Sequence, residues 1–334
     1  MDRYIGIDIH KDFCHATVQN QDGEIVKKGE FENSPSGYDE FFKGIGEASV
    51  AIEAGDAWQP VYDHLIEKGY DVVLANPYKL RIIAEVKIKT DVRDSEALAD
   101  LIRADLVPEV YVPYEEMREL RRVVKRRAKL VMERSKFFSR IKAELRKKRI
   151  GSDVNLRTQK AKCWLKDLEI DSINDYLEVV TTLDKRIEKL QREIRKTAGE
   201  MEETKILMTI PYVSYFSALT IIAEIATIER FPTSSHLCSY AGLVPEVNQS
   251  GSKTVYGSIK GGRPVLRWIL YQSAWNHVHH ANSHLTRFYE RLERHKPKKL
   301  ATIATARKLT KVVYWMLKLG EEFHSEGYDP RGSR

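Results

Sequence analysis

The sequence predicts three parts: an α/β domain, a basic coiled-coil arm and a mainly α-helical C-terminal domain. Residues 1–113 alternate short apolar runs with helical patterns, which is typical of a mixed α/β sheet. Residues 114–204 repeat apolar side chains at seven-residue intervals in a long helical pattern. Residues 205–334 combine helical periodicity with one stretch rich in Gly, Ser and Lys.

Composition narrows the class of protein. The chain has 334 residues, of which 42% are hydrophobic, so a folded and not a disordered protein is expected. Cys14, Cys163 and Cys238 are far apart, which predicts neither a disulfide framework nor a zinc site and favours a reducing cytoplasm. Neither a signal peptide nor a membrane-spanning run is expected.

The first domain is predicted to open with three strands, at 4–8, 14–19 and 25–32. Asp22-Gly23 joins the last two as a hairpin signal. Helices and strands then alternate, with helices at 37–43, 60–68 and 94–104 and strands at 50–53 and 72–75. This order predicts one mixed sheet covered by helices.

The arm is predicted as two long helices, 114–149 and 171–203, separated by a loop. Its apolar seam repeats every seven residues: Val124, Val131, Phe138 and Leu145. The two helices can pair within the chain or with another subunit, and the sequence does not decide which. Residues 117–149 contain fifteen Lys or Arg against three Glu. Such an excess favours a polyanion partner over a solvated coiled-coil face, which usually mixes signs.

The last domain is predicted to contain helices at 217–225, 231–242 and 265–280, a loop or hairpin at 245–262, and a final basic helix. Trp268, Trp275 and Trp315 are interpreted as core residues, with stacking of one of them on a base as the alternative. His280 and His284 are placed on one helix face. Zinc can use that spacing, but no third ligand accompanies it, so surface or nucleic-acid-contacting histidines are favoured.

Four carboxylates carry the strongest chemical signal. Asp8 and Glu53 end two apolar runs, and Asp91 and Asp94 lie one turn apart at the start of a helical pattern. Acids at strand ends and at a helix start can converge on one edge of a sheet. Their hard oxygen ligands suit Mg²⁺, with Mn²⁺ as a substitute. Two such ions about 3.5–4 Å apart can activate a nucleophile and stabilise a leaving oxygen.

The order of strand-Asp, hairpin, strand-Glu and helix-opening Asp-x-x-Asp resembles the RuvC-like version of the ribonuclease-H fold. In detail it is similar to the insertion-sequence family one-hundred-and-ten, the bridge-RNA-guided recombinases. The matching residues are Gly6-Ile7-Asp8 with Lys11, Ile52-Glu53-Ala54 with Gly55, Asn76-Pro77, and Lys89-Thr90-Asp91 with Asp94. Actin-like ATPases share a strand, Asp and hairpin, but carry Gly, Ser or Thr where Ile9-His10-Lys11 follows here.

Each acid also has a purely structural interpretation. Asp94 could be a helix N-cap worth about 1 kcal/mol, and Asp91 could bond turn amides. Asp8 could pair with Lys11, and Glu53 could be an isolated core acid. All four in the family's order, with matching neighbours, favour one shared metal site.

The C-terminal loop resembles the second domain of the same family. The matching residues are Ala241-Gly242-Leu243-Val244-Pro245, Ser250-Gly251-Ser252-Lys253, Gly257, Lys260-Gly261-Gly262 and Leu266-Arg267. That domain carries a nucleophilic serine, which Ser250 matches, and Ser252 is the main rival. Residues 211–214 stand where the family has a Pro-Gly-Ile-Gly turn. Both glycines are missing, which weakens the case for phosphate binding by that turn's amides.

The resemblance implies a DNA transposase or recombinase that forms a phosphoserine link. It also implies a prokaryotic cytoplasmic location in association with the nucleoid. The four acids would hold Mg²⁺, and a noncoding bridge RNA would pair with target and donor DNA. Dimers would assemble into tetramers, with the acids and the serine of one site coming from different subunits. A serine needs a base or metal nearby, and neither His nor acid adjoins Ser250. The expected nucleic-acid contacts are Lys11, Arg121, Arg122, Lys125, Arg126, Arg127, Lys253, Lys260, Arg263 and Arg267.

Two other functions stay open from the sequence. One is a metal-dependent nuclease or Holliday-junction resolvase that uses water as its nucleophile. The other is a non-catalytic protein that binds RNA or DNA.

Overall fold

A computed structural model describes residues 3–83, 91–151, 154–245, 247–250, 253–257 and 261–327. The chain forms two compact units, Met1–Val112 and Pro113–Arg334. The first unit ends at Val112, one residue before the end predicted for the α/β domain. The further division of residues 113–334 near residue 204 stays a prediction.

The first unit contains a five-stranded sheet in the order β3-β2-β1-β4-β5. Its strands are β1 Tyr4–Ile9, β2 Phe13–Gln19, β3 Ile25–Glu32, β4 Ser49–Glu53 and β5 Asp71–Ala75. The first three pair antiparallel, whereas β4 runs parallel to both β1 and β5. The mixed sheet that the sequence predicts is therefore confirmed, with strand ends shifted by at most one residue.

The helices of this unit are α1 Pro35–Phe42, α2 Trp58–Glu67, α3 Pro77–Ile83 and α4 Asp91–Arg103. The sequence analysis missed α3, because seven residues are too few to show helical periodicity. The side chain of Asn76 accepts hydrogen bonds from the amides of Tyr78 and Lys79, which stabilises its start. The pattern for α4 was placed correctly, but the helix begins three residues earlier than predicted.

The two faces of the sheet pack against different helices. Ile7 and Ile52 are fully buried in a core that also contains Val61 of α2. On the other face, Ala51 packs with Leu98 of α4. Side chains alternate along a strand, so every second residue of β1 and β4 faces α4.

The second unit begins with α5 Glu115–Lys147, α6 Gln159–Asp167 and α7 Asp171–Glu200. Helices α5 and α7 pack against each other through a buried cluster that includes Phe138, Leu145, Ile173 and Leu177. Asp184 of α7 ties them further, because it lies 2.7 Å from Arg134 of α5 and 2.5 Å from Lys162 of α6. The pairing that the sequence left open thus occurs within one chain.

The remaining elements are α8 Glu202–Met208, α9 Tyr215–Ile225, α10 Ser234–Tyr240, β6 Val247–Ser250, β7 Lys253–Tyr256, α11 Pro264–His280, α12 His284–Glu293 and α13 Lys298–Leu319. Helix α9 is the centre of this core and is buried from Phe216 to Ile225 except at Ser217. Val124 of α5 and Ile194 of α7 belong to the same hydrophobic cluster. One end of the helical arm is therefore continuous with the C-terminal core.

Several predicted elements differ from the structure. The predicted helix 171–203 is two helices, because Met201 adopts an extended conformation between them. Helices α6 and α12 were missed, and both begin at an N-cap hydroxyl, Thr158 and Ser283. His280 ends α11 and His284 begins α12, so the predicted shared helix face is wrong.

All three cysteines are free thiols. Within the described ranges, every helix is too short or too polar to cross a membrane.

Candidate active site

Asp8 and Glu53 occupy equivalent positions on neighbouring parallel strands. Ile7 of β1 pairs with Ile52 of β4, and each acid is the next residue in its strand. Equivalent positions on parallel strands share a face, which here is the face covered by α4. The sheet therefore brings two carboxylates to one edge, at the C-terminal ends of both strands.

The direction of α4 follows from its hydrogen bonds to β2. Ser95 Oγ lies 2.9 Å from Nδ1 of His15, the residue that pairs with Asp8. Farther along α4, Asp100 accepts a 3.1 Å hydrogen bond from Gln19, at the other end of β2. Ser95 is therefore near Asp8, and Asp100 is near the opposite end of the sheet. The start of α4 thus lies beside the edge that carries Asp8.

The other two predicted acids lie at that start. Asp91 is the first residue of α4, and Asp94 precedes Ser95 by one position, a rise of about 1.5 Å along the helix axis. Asp94 is partly buried. Its interpretation as an N-cap is wrong, since it is the fourth residue of the helix. The backbone segments that carry the four acids, two strand ends and one helix start, therefore lie at the same edge of the sheet.

Asp8 has a neighbour that the sequence analysis did not anticipate. Its Oδ2 lies 3.2 Å from Nε2 of His10, and the Asp8 side chain is only 16% exposed. The His10 ring stacks on Phe13, with ring centroids 4.5 Å apart. Burial, together with the charge of Asp8, raises the pKa of the Cys14 thiol to about 12. The signal for His10 was its position two residues after the acid, at the hairpin between β1 and β2.

The donor chemistry of this edge fits a hard divalent cation. Carboxylate oxygens are the ligands that Mg²⁺ prefers, and carboxylates held together need a cation to offset their repulsion. Among the side chains that the structure describes, which exclude that of Asp91, no three acidic, His or Cys groups are close enough to form a complete ligand set. The backbone convergence therefore supports the metal site, whereas its ligand geometry stays a prediction.

The predicted serine lies in a β-hairpin, as the sequence allowed. Strands β6 and β7 pair antiparallel, and the last residue of β6, Ser250, pairs with the first residue of β7, Lys253. Backbone positions are described for both residues. Ser252, the rival nucleophile, and Lys260, a predicted nucleic-acid contact, lie outside the described residues.

The base of this hairpin is held by close backbone packing. A Cβ added to Gly262 would lie 2.4 Å from the Cα of Gly242, so neither position accepts a larger residue without movement. Arg267 Nη1 donates hydrogen bonds to the carbonyl oxygens of Gly261, at 3.2 Å, and Gly242, at 3.4 Å. Gly242 and Gly262, on either side of the hairpin in sequence, are thus in close backbone contact.

Some predicted nucleic-acid contacts have partners within the protein. Glu224 is 1% exposed, and its Oε2 lies 2.7 Å from Nη2 of Arg263. Arg121 donates to the carbonyl oxygens of Ala223, at 2.6 Å, and Glu224, at 2.8 Å, near the end of α9. Lys125 Nζ lies 3.8 Å from Glu224 Oε1. These cations stabilise the fold, and their contact with nucleic acid stays a prediction.

The other predicted contacts differ in exposure. Arg122 pairs with Glu119 one helical turn away, while Arg126 and Lys11 are exposed. Arg127 lies over the ring of Phe216, 4.1 Å from its centroid. The exposed members of α5 form a basic surface that suits a phosphate backbone.

The turn at 210–214 holds a tyrosine where the family turn has glycine. Tyr212 has a φ of +67°, in the left-handed region, and is 57% exposed. Buried His277 supports the turn. Its Nδ1 donates to the Pro211 carbonyl oxygen at 3.0 Å, so its Nε2 accepts from the Ser283 hydroxyl at 2.7 Å. The sequence indicated the missing glycine, but not that Tyr212 adopts the left-handed conformation that glycine favours.

Of the three tryptophans interpreted as core, Trp275 and Trp315 are partly buried. Trp268 is 43% exposed, so its assignment to the core is wrong.

Two family models match the chain. Residues 5–149 match the DEDD transposase model of the IS110 group, and residues 204–290 match the model described as "Transposase IS116/IS110/IS902 family". The first match contains all four acids, and the second contains Ser250. A DEDD transposase domain implies an α/β fold of the RuvC and ribonuclease-H type and dependence on a divalent metal, typically Mg²⁺.

Curated relatives are similar over most of the chain. The transposase for insertion sequence element IS1533 of Leptospira borgpetersenii is 25% identical, covering 82% of this chain and 85% of the relative. The transposase for insertion sequence element IS1111A of Coxiella burnetii is 22% identical, covering 96% and 91%. The pilin gene-inverting protein of Moraxella bovis is 27% identical, covering 96% and 97%.

Proposed function

Because the chain belongs to the IS110 family of transposases, we propose that it recombines DNA through a covalent phosphoserine link at Ser250, with a Mg²⁺ site formed by Asp8, Glu53, Asp91 and Asp94. A bridge RNA supplies the sequence specificity. The family itself places the protein among enzymes that cut and rejoin DNA. The similarity to a protein named for inverting a pilin gene supports the same class of reaction.

One observation carries the metal half of the proposal. The register that pairs Ile7 with Ile52 places Asp8 beside Glu53, and α4 begins at the same edge with Asp91 and Asp94. When bound there, Mg²⁺ lowers the pKa of an attacking hydroxyl and stabilises a leaving oxygen. The chain's own contribution is to hold the carboxylates in place, through two paired strands and the hydrogen bonds of Ser95.

The serine half rests on chain position. Ser250 is the last residue of β6, which pairs antiparallel with β7. Its hydroxyl oxygen attacks a DNA phosphorus, and the new oxygen–phosphorus bond forms as the bond to one deoxyribose oxygen breaks. The serine proton is released and the leaving sugar oxygen takes up a proton, so the step balances. The phosphoserine retains the bond energy, and attack by another sugar hydroxyl rejoins the DNA.

The basic surface of α5 suits binding to phosphates without base reading, which leaves sequence choice to RNA pairing. We place the reaction in the cytoplasm, on nucleoid DNA, with dimers assembling into tetramers. The acids and the serine of one site come from different subunits in this proposal.

Trapping of the covalent intermediate tests the serine. The protein would be incubated with its copurifying RNA, Mg²⁺ and labelled target and donor DNA, then denatured and examined for labelled protein. The wild type should form the adduct, Ser250→Ala should not, and Ser252→Ala should retain it. Adduct formation by Ser250→Ala together with its loss in Ser252→Ala would move the nucleophile to Ser252.

The same assay separates recombination from hydrolysis. Cleavage by Ser250→Ala and Ser252→Ala without any adduct, abolished by Asp8→Asn, would identify water as the nucleophile and a metal-dependent nuclease. Mixing Asp8→Asn with Ser250→Ala protein tests shared sites. Activity restored in the mixture, but absent in each variant alone, is the expected result, whereas no restoration would place each site within one subunit.

A further inference from the structure

An open cleft of about 330 Å³ lies in the helical second unit. Arg127 of α5, Arg195 of α7, Tyr215 at the start of α9, and Trp268 and Gln272 of α11 line it. Its size is at the lower end of the range for small-ligand sites in proteins. The proposed phosphoserine chemistry uses none of these side chains, although Arg127 is among the predicted nucleic-acid contacts.

Exposed aromatic rings gather at this cleft. Trp268 is 43% exposed and Tyr215 is 38% exposed, and both line the cleft. Large rings left in water cost hydrophobic free energy, so their grouping indicates a surface that is covered by a partner. The Trp268 ring packs edge to face against the buried ring of Phe216, with centroids 6.2 Å apart, and this contact supports it on the protein side. The supported ring can serve as a stacking platform.

Two guanidinium groups add positive charge beside the rings. Arg195 lies 5.5 Å from the centroid of the Tyr215 ring and is exposed. Arg127 is held over Phe216, and its buried Nε donates to no acceptor within the described part of the protein. No acidic side chain is among the described residues that line the cleft. An anion bound here would satisfy both cations.

Rings, cations and glutamine amides together match the parts of a nucleotide. Aromatic faces stack on bases, arginines bind phosphates, and the Gln191 and Gln272 amides offer donors and acceptors to a base edge. A paired base keeps its faces stacked inside a duplex and cannot present them to a side chain without flipping out. The occupant that fits is therefore a nucleotide of an unpaired strand.

We propose that this cleft binds one unpaired nucleotide of the nucleic acid on which the protein acts, with the base on Trp268 and the phosphate between Arg127 and Arg195. The inference rests on the proposed function for its partner and adds a site that distinguishes single strands from duplex. The unpaired strand belongs either to the guide RNA or to opened DNA, and both present the same chemistry.

Binding without catalysis tests the cleft independently of the serine mechanism. Full-length protein carrying Asp8→Asn and Ser250→Ala would be titrated, in EDTA, against fluorescein-labelled 12-residue oligonucleotides. The arms are single-stranded oligo(U), single-stranded oligo(dT) and a duplex of equal length, read by anisotropy. Trp268→Ala should weaken single-strand binding by about fivefold or more, whereas Trp268→Phe should retain most of it and duplex binding should not change. The tighter of the two single strands identifies the source.

Two exposed arginines of α7 provide the control for folding and for overall charge. Arg195→Ala should weaken single-strand binding severalfold, and Arg192→Ala, an exposed arginine of the same helix outside the cleft, should do so much less. Equal effects of the two arginine variants would overturn the proposal, because they would show general electrostatics only. Unchanged binding by folded Trp268→Ala protein would overturn it as well. Neither result bears on the adduct assay, so the two proposals fail separately.

Discussion

Gly6 of β1 lies against the backbone of Ser95 in α4, so close that an added Cβ would be 2.1 Å from the Ser95 carbonyl oxygen. The absence of a side chain at residue 6 is what allows the helix carrying Asp91 and Asp94 to approach the strand carrying Asp8. The glycine of the Gly-Ile-Asp sequence therefore sets the distance between the two segments that carry the proposed metal ligands.

We predict that Gly6→Ala separates α4 from the sheet. Such overpacking should lower the free energy of unfolding by about 1–3 kcal/mol and reduce metal-dependent cleavage, although every acid is retained. Urea unfolding and Mn²⁺ titration would measure the two effects. Gly29→Ala is the matched control in the same sheet, because its added Cβ would come no closer than 3.9 Å to Phe41. Equal losses in both variants would contradict the role of this contact.

Two arginines on α5 should separate stability from binding. Arg121→Ala removes hydrogen bonds to two carbonyl oxygens of α9, and we expect a loss of about 1–3 kcal/mol in the free energy of unfolding. Arg126→Ala should change stability by less than about 0.5 kcal/mol, because Arg126 is exposed. It should instead weaken duplex binding and reduce the slope of log K against log salt by about 1. Urea unfolding and binding titrations at several salt concentrations would distinguish the two roles, and a salt slope unchanged by Arg126→Ala would remove Arg126 from the interface.

Stability should fall on acidification partly because of His277. Burial lowers the pKa of its imidazole, so the folded protein favours the neutral ring whereas the unfolded chain binds a proton more readily. The unfolded state then holds more protons below its pKa of about 6.5, and stability is lost as pH falls through that value. Between pH 7.5 and pH 5.5, the free energy of unfolding should decrease less for His277→Gln than for the wild type. The exposed His295→Gln should behave as the wild type does, and an undiminished decrease in His277→Gln would assign the acid sensitivity elsewhere.

Tyr212→Gly should stabilise the fold. A tyrosine at a φ of +67° is strained, and glycine relieves that strain, with an expected gain of about 1 kcal/mol in the free energy of unfolding. Tyr212→Phe keeps the strained backbone and should leave stability unchanged. Thermal unfolding of the three proteins would measure the difference. A destabilised glycine variant would show that the ring, 5.1 Å from that of His280, contributes more than the backbone costs.

The sheet and the long helices were predictable because their signals are local and periodic. Apolar runs located β1, β2 and β4, and the seven-residue repeat located α5. The acids were predictable at the level of strand ends, since Asp8 and Glu53 follow those runs directly. Their alignment on one face required the register between Ile7 and Ile52, which no single strand encodes.

The roles of several side chains could not be predicted, because they depend on contacts with residues distant in the sequence. Arg121 and Arg263 look like any other cations of a basic protein until Glu224 is found buried beside them. Trp268 is apolar by type, and only the packing of α11 leaves it in the solvent. Short helices such as α3 and α6 lack the length that periodicity needs.

The first family match ends at residue 149, two residues beyond α5, whereas the first compact unit ends at residue 112. A fragment cut at residue 149 would carry α5 without α7, and its apolar stripe of Val124, Phe138, Ile141 and Leu145 would face water. Such a fragment should aggregate on expression. A soluble version of the acid-bearing unit should end near residue 112. In a chimaera with another recombinase, helices α5, α6 and α7 should be transferred together, because α5 and α7 bury each other's apolar side chains.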